Sequence, residues 1–115
     1  NNSVLLFFLL LYASNAHAQK FTVITSEHSG IHFFNKFVAY RNVIEGNGVG
    51  LGDFDNDGWQ DIFFISELKF ALYKNKQNFV FENVFHDSGI QQETGPSSVT
   101  VYDMDKNGLP DIIIG

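Results

Sequence analysis

The chain has 115 residues, enough for one small domain with a modest core. Its formal charge of −6 argues against a nucleic-acid partner, and the absence of cysteine excludes disulfides as a source of stability. For an exported domain of this size, a bound metal is the remaining staple.

Val4 to Leu11 is an unbroken apolar run, and Ala16-His17-Ala18 has the small-x-small form of a signal-peptidase site. Residues 1–18 therefore read as a signal peptide, with Gln19 as the mature N-terminus. A spanning helix needs about 20 apolar residues, more than this run supplies. No Cys follows the cleavage site, which argues against a lipoprotein anchor. The expectation is an exported chain: secreted, at the cell surface or in the periplasm, with no membrane span in its mature part. The chain has neither an initiator Met nor a basic n-region, and Ile112-Ile113-Ile114-Gly115 stops while a second unit is still being built. It reads as the N-terminal fragment of a longer protein.

Residues 19–47 form a lead-in. Phe21-Thr22-Val23-Ile24 precedes Ser29-Gly30-Ile31, just as Phe81-Glu82-Asn83-Val84 precedes Ser88-Gly89-Ile90. His28 and His32 lie four apart beside Glu27, the spacing of half a zinc site on a helix. Here they flank a glycine in an expected strand region, which favours surface or packing roles. Phe33 to Val43 reads as a loop or short helix within an insertion of roughly residues 34–46.

Residues 48–96 read as a first repeat, with four short strands in it. Gly48–Phe54 is glycine-rich with Val49 and Leu51 alternating; close sheet packing explains these glycines better than a phosphate loop does. Asp61–Ile65, Phe70–Tyr73, and Phe79–Phe81 with Val84 follow, and Lys74-Asn75-Lys76 reads as a turn. Residues 97–115 restart the pattern, with strands at Ser98–Tyr102 and Asp111–Ile114. The fold class expected is all-β. Four strands per unit is the size of a propeller blade, and a fixed period of this kind points to a propeller or a solenoid. The thirteen phenylalanines suit strands in a large apolar interface, several of them half exposed. Ser97 and Ser98 lack a Gly-x-Ser-x-Gly elbow, so no nucleophile stands out.

Two acidic loops carry the chemistry. Asp53-Phe54-Asp55-Asn56-Asp57-Gly58-Trp59-Gln60-Asp61 and Asp103-Met104-Asp105-Lys106-Asn107-Gly108-Leu109-Pro110-Asp111 start 50 residues apart. They hold seven of the thirteen acids; without them six acids face seven bases, so the acidity is local. Ca²⁺ takes six to eight oxygens, which alternate residues of a tight turn can supply. In the first loop the expected ligands are Asp53, Asp55, Asp57, the Trp59 carbonyl and Asp61. The second offers Asp103, Asp105, Asn107, the Leu109 carbonyl and Asp111. Gly58 and Gly108 allow the left-handed backbone at the reversal. Asn107 replaces a charge by a neutral oxygen, so the second site is expected to be the weaker. An EF-hand needs Glu at the twelfth place, where these loops have Phe64 and Ile114. Mg²⁺ prefers to keep its waters and fits less well. A plain surface turn would explain one loop, but not two in the same frame.

Gly48-Val49-Gly50-Leu51-Gly52 together with the first loop and Ile62 resembles the FG-GAP/VCBS-type repeat of integrin-α-like β-propellers. Ser29-Gly30-Ile31-His32-Phe33, Glu45 to Gly50, Leu72-Tyr73-Lys74-Asn75, Phe81-x-x-Val84 and Ser88-Gly89-Ile90 resemble the N-terminal part of the cartilage acidic protein/ASPIC–UnbV group. The likeness covers about residues 20–115. It implies two blades of a roughly seven-bladed, calcium-bound propeller, exported and used for adhesion or extracellular recognition. The integrin-style Phe-Gly and Gly-Ala-Pro signatures are not cleanly present, so integrin-type ligand binding does not follow.

Two functions fit these readings. One is a non-catalytic module that recognises an extracellular protein or glycan, with Ca²⁺ as structural staple. The other is the propeller portion of an exported carbohydrate-active enzyme, a lyase or hydrolase. The carboxylates are better explained as ligands than as an acid/base pair, which favours the first.

Overall fold

A computed structural model describes residues 20–33, 47–66, 69–93 and 98–115. The signal-peptide reading, the insertion at 34–46 and all but the first residue of the Phe33–Val43 segment lie outside them. Among the described residues, two antiparallel sheets make up the fold. The first has the order β1-β2-β3-β4, formed by Gly48–Gly52, Asp61–Ser66, Lys69–Asn75 and Phe81–Asn83. The second pairs β5, Val99–Tyr102, with β6, Asp111–Ile114. The all-β expectation holds, with strand positions close to those expected.

Strand β2 explains the layering. Its sequence, Asp-Ile-Phe-Phe-Ile-Ser, is apolar on both faces, as a strand must be when both are covered. Phe63 and Ile65 are fully buried and join Phe70 and Leu72 in the core. Val99, Ile112 and Ile114 of the second sheet pack against that cluster. On the other face Phe64 stacks on Phe33, with ring centroids 5.0 Å apart, and meets Tyr73 edge-on. The Tyr73 hydroxyl accepts the backbone N–H of His32 at 3.0 Å, which pins the lead-in to β3. Phe54, Phe64, Phe81 and Phe85 are half-buried, matching the half-exposed phenylalanines expected.

Strand β1 brings the two sheets together. Gly48, Gly50 and Gly52 point toward β5, and a Cβ added at Gly50 would lie 2.6 Å from Val101 Cγ2. A side chain there would force Val101 or the strand itself to move. The glycines are thus explained by close packing of sheet on sheet, as the sequence suggests.

The local departures have physical causes. Lys74 and Asn75 end β3 rather than forming a turn, because the reversal lies one residue later. Gln77, Asn78 and Phe79 take φ of 68°, 52° and 61°, and Lys76 N–H donates to the Val80 carbonyl at 2.8 Å. Phe79 and Val80 therefore belong to the turn, and β4 begins at Phe81. The segment around His28 is not a strand: Ser26–Ser29 form a single helical turn, α1. The Thr25 hydroxyl accepts from His28 N–H at its start, and Gly30 stops it with φ of 73°. His28 Nε2 lies 3.0 Å from the Asn78 carbonyl, a packing contact rather than a metal one.

The Ser-Gly-Ile repetition has a shared geometry. Ile31 N–H donates to Ser29 Oγ at 3.3 Å, and Ile90 N–H to Ser88 Oγ at 3.1 Å. Gly30 and Gly89 both adopt left-handed φ, 73° and 74°. A helical turn precedes each motif, α1 in one case and a 3-10 turn at Phe85–Asp87 in the other.

Candidate metal centre

Each acidic loop joins two antiparallel strands. The last ladder pair before the first loop is Gly52 with Asp61; before the second it is Tyr102 with Asp111. Both hairpins thus close with an aspartate at the first position of the outgoing strand. Phe63 shares the face of Asp61 and enters the core, whereas Ile112 and Ile114 lie on the face opposite Asp111 and pack against that core.

Inside the loops, carboxylates take up backbone N–H groups that the tight reversal would otherwise leave unpaired. Asp53 Oδ1 accepts from Asp57 N–H at 3.0 Å and Oδ2 from Gly58 N–H at 2.8 Å. Asp103 does the same with Asn107 at 3.1 Å and Gly108 at 2.9 Å. Asp61 Oδ2 accepts from Phe54 N–H at 3.1 Å, and Asp111 Oδ2 from Met104 N–H at 2.9 Å. Trp59 N–H donates to Asp57 Oδ1 at 3.0 Å, and Leu109 N–H to Asn107 Oδ1 at 2.8 Å. Backbone angles repeat too: Asn56 and Lys106 have φ of 59° and 61°, and Gly58 and Gly108 both 90°. Two separate sequences therefore build one loop.

This bonding converges three carboxylates in each loop. Asp53, Asp55 and Asp61 each bring an oxygen within 4.8 Å of the others, and so do Asp103, Asp105 and Asp111. Six of the ten expected ligands thus meet in two groups, each tight enough to hold one cation. A cluster of hard oxygens without nitrogen or sulfur suits Ca²⁺. Asp57 stands apart from the first group, its Oδ2 lying 3.2 Å from the Lys74 ammonium. Asn107 hydrogen-bonds Asp105 through its amide, Nδ2 to Oδ2 at 3.0 Å. Trp59 and Leu109 enter the geometry through their backbone N–H groups and leave their side chains exposed.

The first loop is also tied to β3. Asp61 is only 2% exposed, and its Oδ1 accepts from Asn75 N–H at 2.8 Å. Burial pushes its carboxyl above the usual range, opposed by the N–H groups of Asn75 and Phe54; the Asp55 and Asp57 charges push it further up. Asn75 Nδ2 donates to the Gln60 carbonyl at 2.9 Å, closing the loop's exit. One residue earlier, Lys74 forms an ion pair with Asp55 and lies near Asp57. The hydrogen bond from Lys74 holds the Asp55 carboxyl below its usual range, and the same bond raises the Lys74 ammonium.

Lys74 and Asn75 are the site residues that the sequence reading leaves out, having placed them in a turn. The signal that would find them is antiparallel pairing. Ile62 faces Tyr73, so the residues just after Tyr73 must lie beside Asp61 and the loop.

A family model described as an FG-GAP-like repeat matches residues 53–114, from the first aspartate of one loop to the end of the strand that follows the other. No curated protein and no solved structure matches the chain.

Proposed function

Given that the chain belongs to the FG-GAP-like repeat family, we propose that it is a calcium-stapled recognition module acting outside the cell. The observation that carries this reading is the duplicated loop: two hairpins with the same four classes of carboxylate or amide contact, each converging three aspartates. Asp53, Asp55 and Asp61 would hold the first ion, with Asp57 and the Trp59 carbonyl as further oxygens. Asp103, Asp105 and Asp111 would hold the second, with Asn107 and the Leu109 carbonyl. A bound ion would neutralise the carboxylates at the strand ends, in a chain with no cysteine to staple it otherwise.

The protein residues preorganise the loops. Asp53 and Asp103 fix the reversal through paired backbone bonds, and Asp61 fixes it to β3. These are structural duties, which favours binding over catalysis. The further reading is a propeller of the cartilage acidic protein/ASPIC–UnbV type that recognises a protein or glycan, with the two sheets as neighbouring blades. Close contact of β1 with β5 through the glycine face supports that stacking. The leader-like segment and the family support a role outside the cell; among the described residues no helix is long and apolar enough to cross a membrane.

Calorimetric titration of the chain with Ca²⁺ tests the reading. Two binding events are expected, one lost on Asp55→Ala and the other on Asp105→Ala. Absence of heat at millimolar Ca²⁺, the weak end of extracellular modules, would overturn it.

A further inference from the structure

We infer that Lys74 is a built-in competitor for the first metal site, a tethered cation that sets the calcium affinity of that loop and must leave its carboxylates before the ion is fully bound. The inference rests on the calcium reading above and adds a residue outside both loops to it. Lys74 stands at the end of β3, and its ammonium pairs with Asp55 and lies 3.2 Å from Asp57 Oδ2. Asp55 is one of the three carboxylates that converge in the loop. Asp55, the carboxylate common to both, therefore serves either the lysine or a metal ion. Lys74 is half-buried and held by the register of β3 beside β2, so its approach to the loop is dictated by the fold.

The second loop is different. Among the described residues, no ion pair reaches Asp103, Asp105 or Asp111. Lys106 sits within that loop, and it too makes no ion pair there. Asp105 instead accepts from Asn107, N–H at 3.0 Å and Nδ2 at 3.0 Å. Charge counting shows what Lys74 does. The first loop carries four aspartates and the second three plus Asn107. One paired ammonium takes the first loop from four net negative charges to three, while the second loop's three aspartates with Lys106 among them leave it two. Lys74 thereby narrows the charge difference between the two sites.

The test uses the protein's single tryptophan, Trp59, which lies in the first loop. Terbium, a luminescent stand-in for Ca²⁺, is bound to the full chain and excited through tryptophan alone. It is then displaced with Ca²⁺, which reads the first site selectively. Lys74→Met is expected to tighten Ca²⁺ at that site about tenfold, the scale of one partly screened unit charge. Lys74→Arg keeps the charge and is expected to stay within about threefold of the parent. The second site, followed by calorimetry in Asp55→Ala, is expected to be unmoved by Lys74→Met. Unchanged first-site affinity in Lys74→Met, with Ca²⁺ still bound there, would overturn the competitor role and leave the calcium reading standing. Absence of Ca²⁺ binding at the first loop in both the parent and Lys74→Met would overturn both. Circular dichroism of each variant checks folding, and Lys74→Gln serves as a second neutral variant if Lys74→Met does not fold.

Discussion

Asp61 Oδ1 accepts the backbone N–H of Asn75 across the boundary between β2 and β3, at 2.8 Å. Through this bond a loop residue holds a strand that is 14 residues away in sequence. Its other oxygen holds Phe54 N–H, so one carboxylate satisfies two partly buried donors.

Asp61→Ala is expected to cost about 3 kcal/mol in urea unfolding of the calcium-free chain, since two donors lose their acceptor. Asp111 serves only Met104 N–H among the described residues. Asp111→Ala is therefore expected to cost about 1 kcal/mol. Equal losses at the two positions would show that the Asn75 bond contributes nothing.

Calcium should raise stability by mass action. At a hundredfold excess over the dissociation constant, each occupied site adds about 2.7 kcal/mol. Chelation is expected to lower the melting temperature of the parent chain in two increments, and of Asp55→Ala or Asp105→Ala in one. Differential scanning calorimetry with and without a chelator measures this, and a melting temperature insensitive to chelation would count against it.

The Asp55–Lys74 pair should be lost in acid. Lys74 lowers the folded-state pKa of Asp55 below its unfolded value. A depressed carboxylate contributes stability above the unfolded pKa of about 4, and that contribution vanishes as pH falls through the folded value. The stability gap between the parent and Asp55→Asn, both calcium-free, is expected to be constant near neutrality and to close below about pH 4. A gap that widens in acid would contradict the pairing.

Gly50→Val places methyl groups where Val101 Cγ2 already lies 2.6 Å from the added Cβ. The backbone of β1 must move away from β5, at a cost of about 1–3 kcal/mol. Gly50→Val combined with Val101→Ala is expected to recover part of that loss in the same urea assay. Full additivity of the two losses would show that the sheets are not in contact there.

The strands and loops were legible because each is signalled locally. Alternation around Val49 and Leu51, the apolar run from Ile62 to Ile65, and the glycine of each loop lie within a few residues of what they determine. Repetition strengthened the signal, since one loop predicts the other. The site's outer support was not legible. Lys74 and Asn75 look like turn residues, and only the pairing of Ile62 with Tyr73 carries them to the loop. The turn at Gln77–Phe79 was equally hidden, because a phenylalanine at positive φ is held by its surroundings rather than by its own preference. Thr25 and Gly30 do mark a helical turn at Ser26–Ser29, but so short an element has no periodicity to reveal it.

The carboxylate-to-backbone bonds within each loop join residues only two to seven apart, whereas Gly50 meets Val101 from half a chain away. Closing short segments costs little chain entropy, and bringing distant ones together costs more and happens more slowly. The hairpins are therefore expected to be in place at the folding transition state, with the nesting of the sheets completed afterwards. Val101→Ala should then speed unfolding while leaving the refolding rate nearly unchanged, and Asp53→Asn should slow refolding.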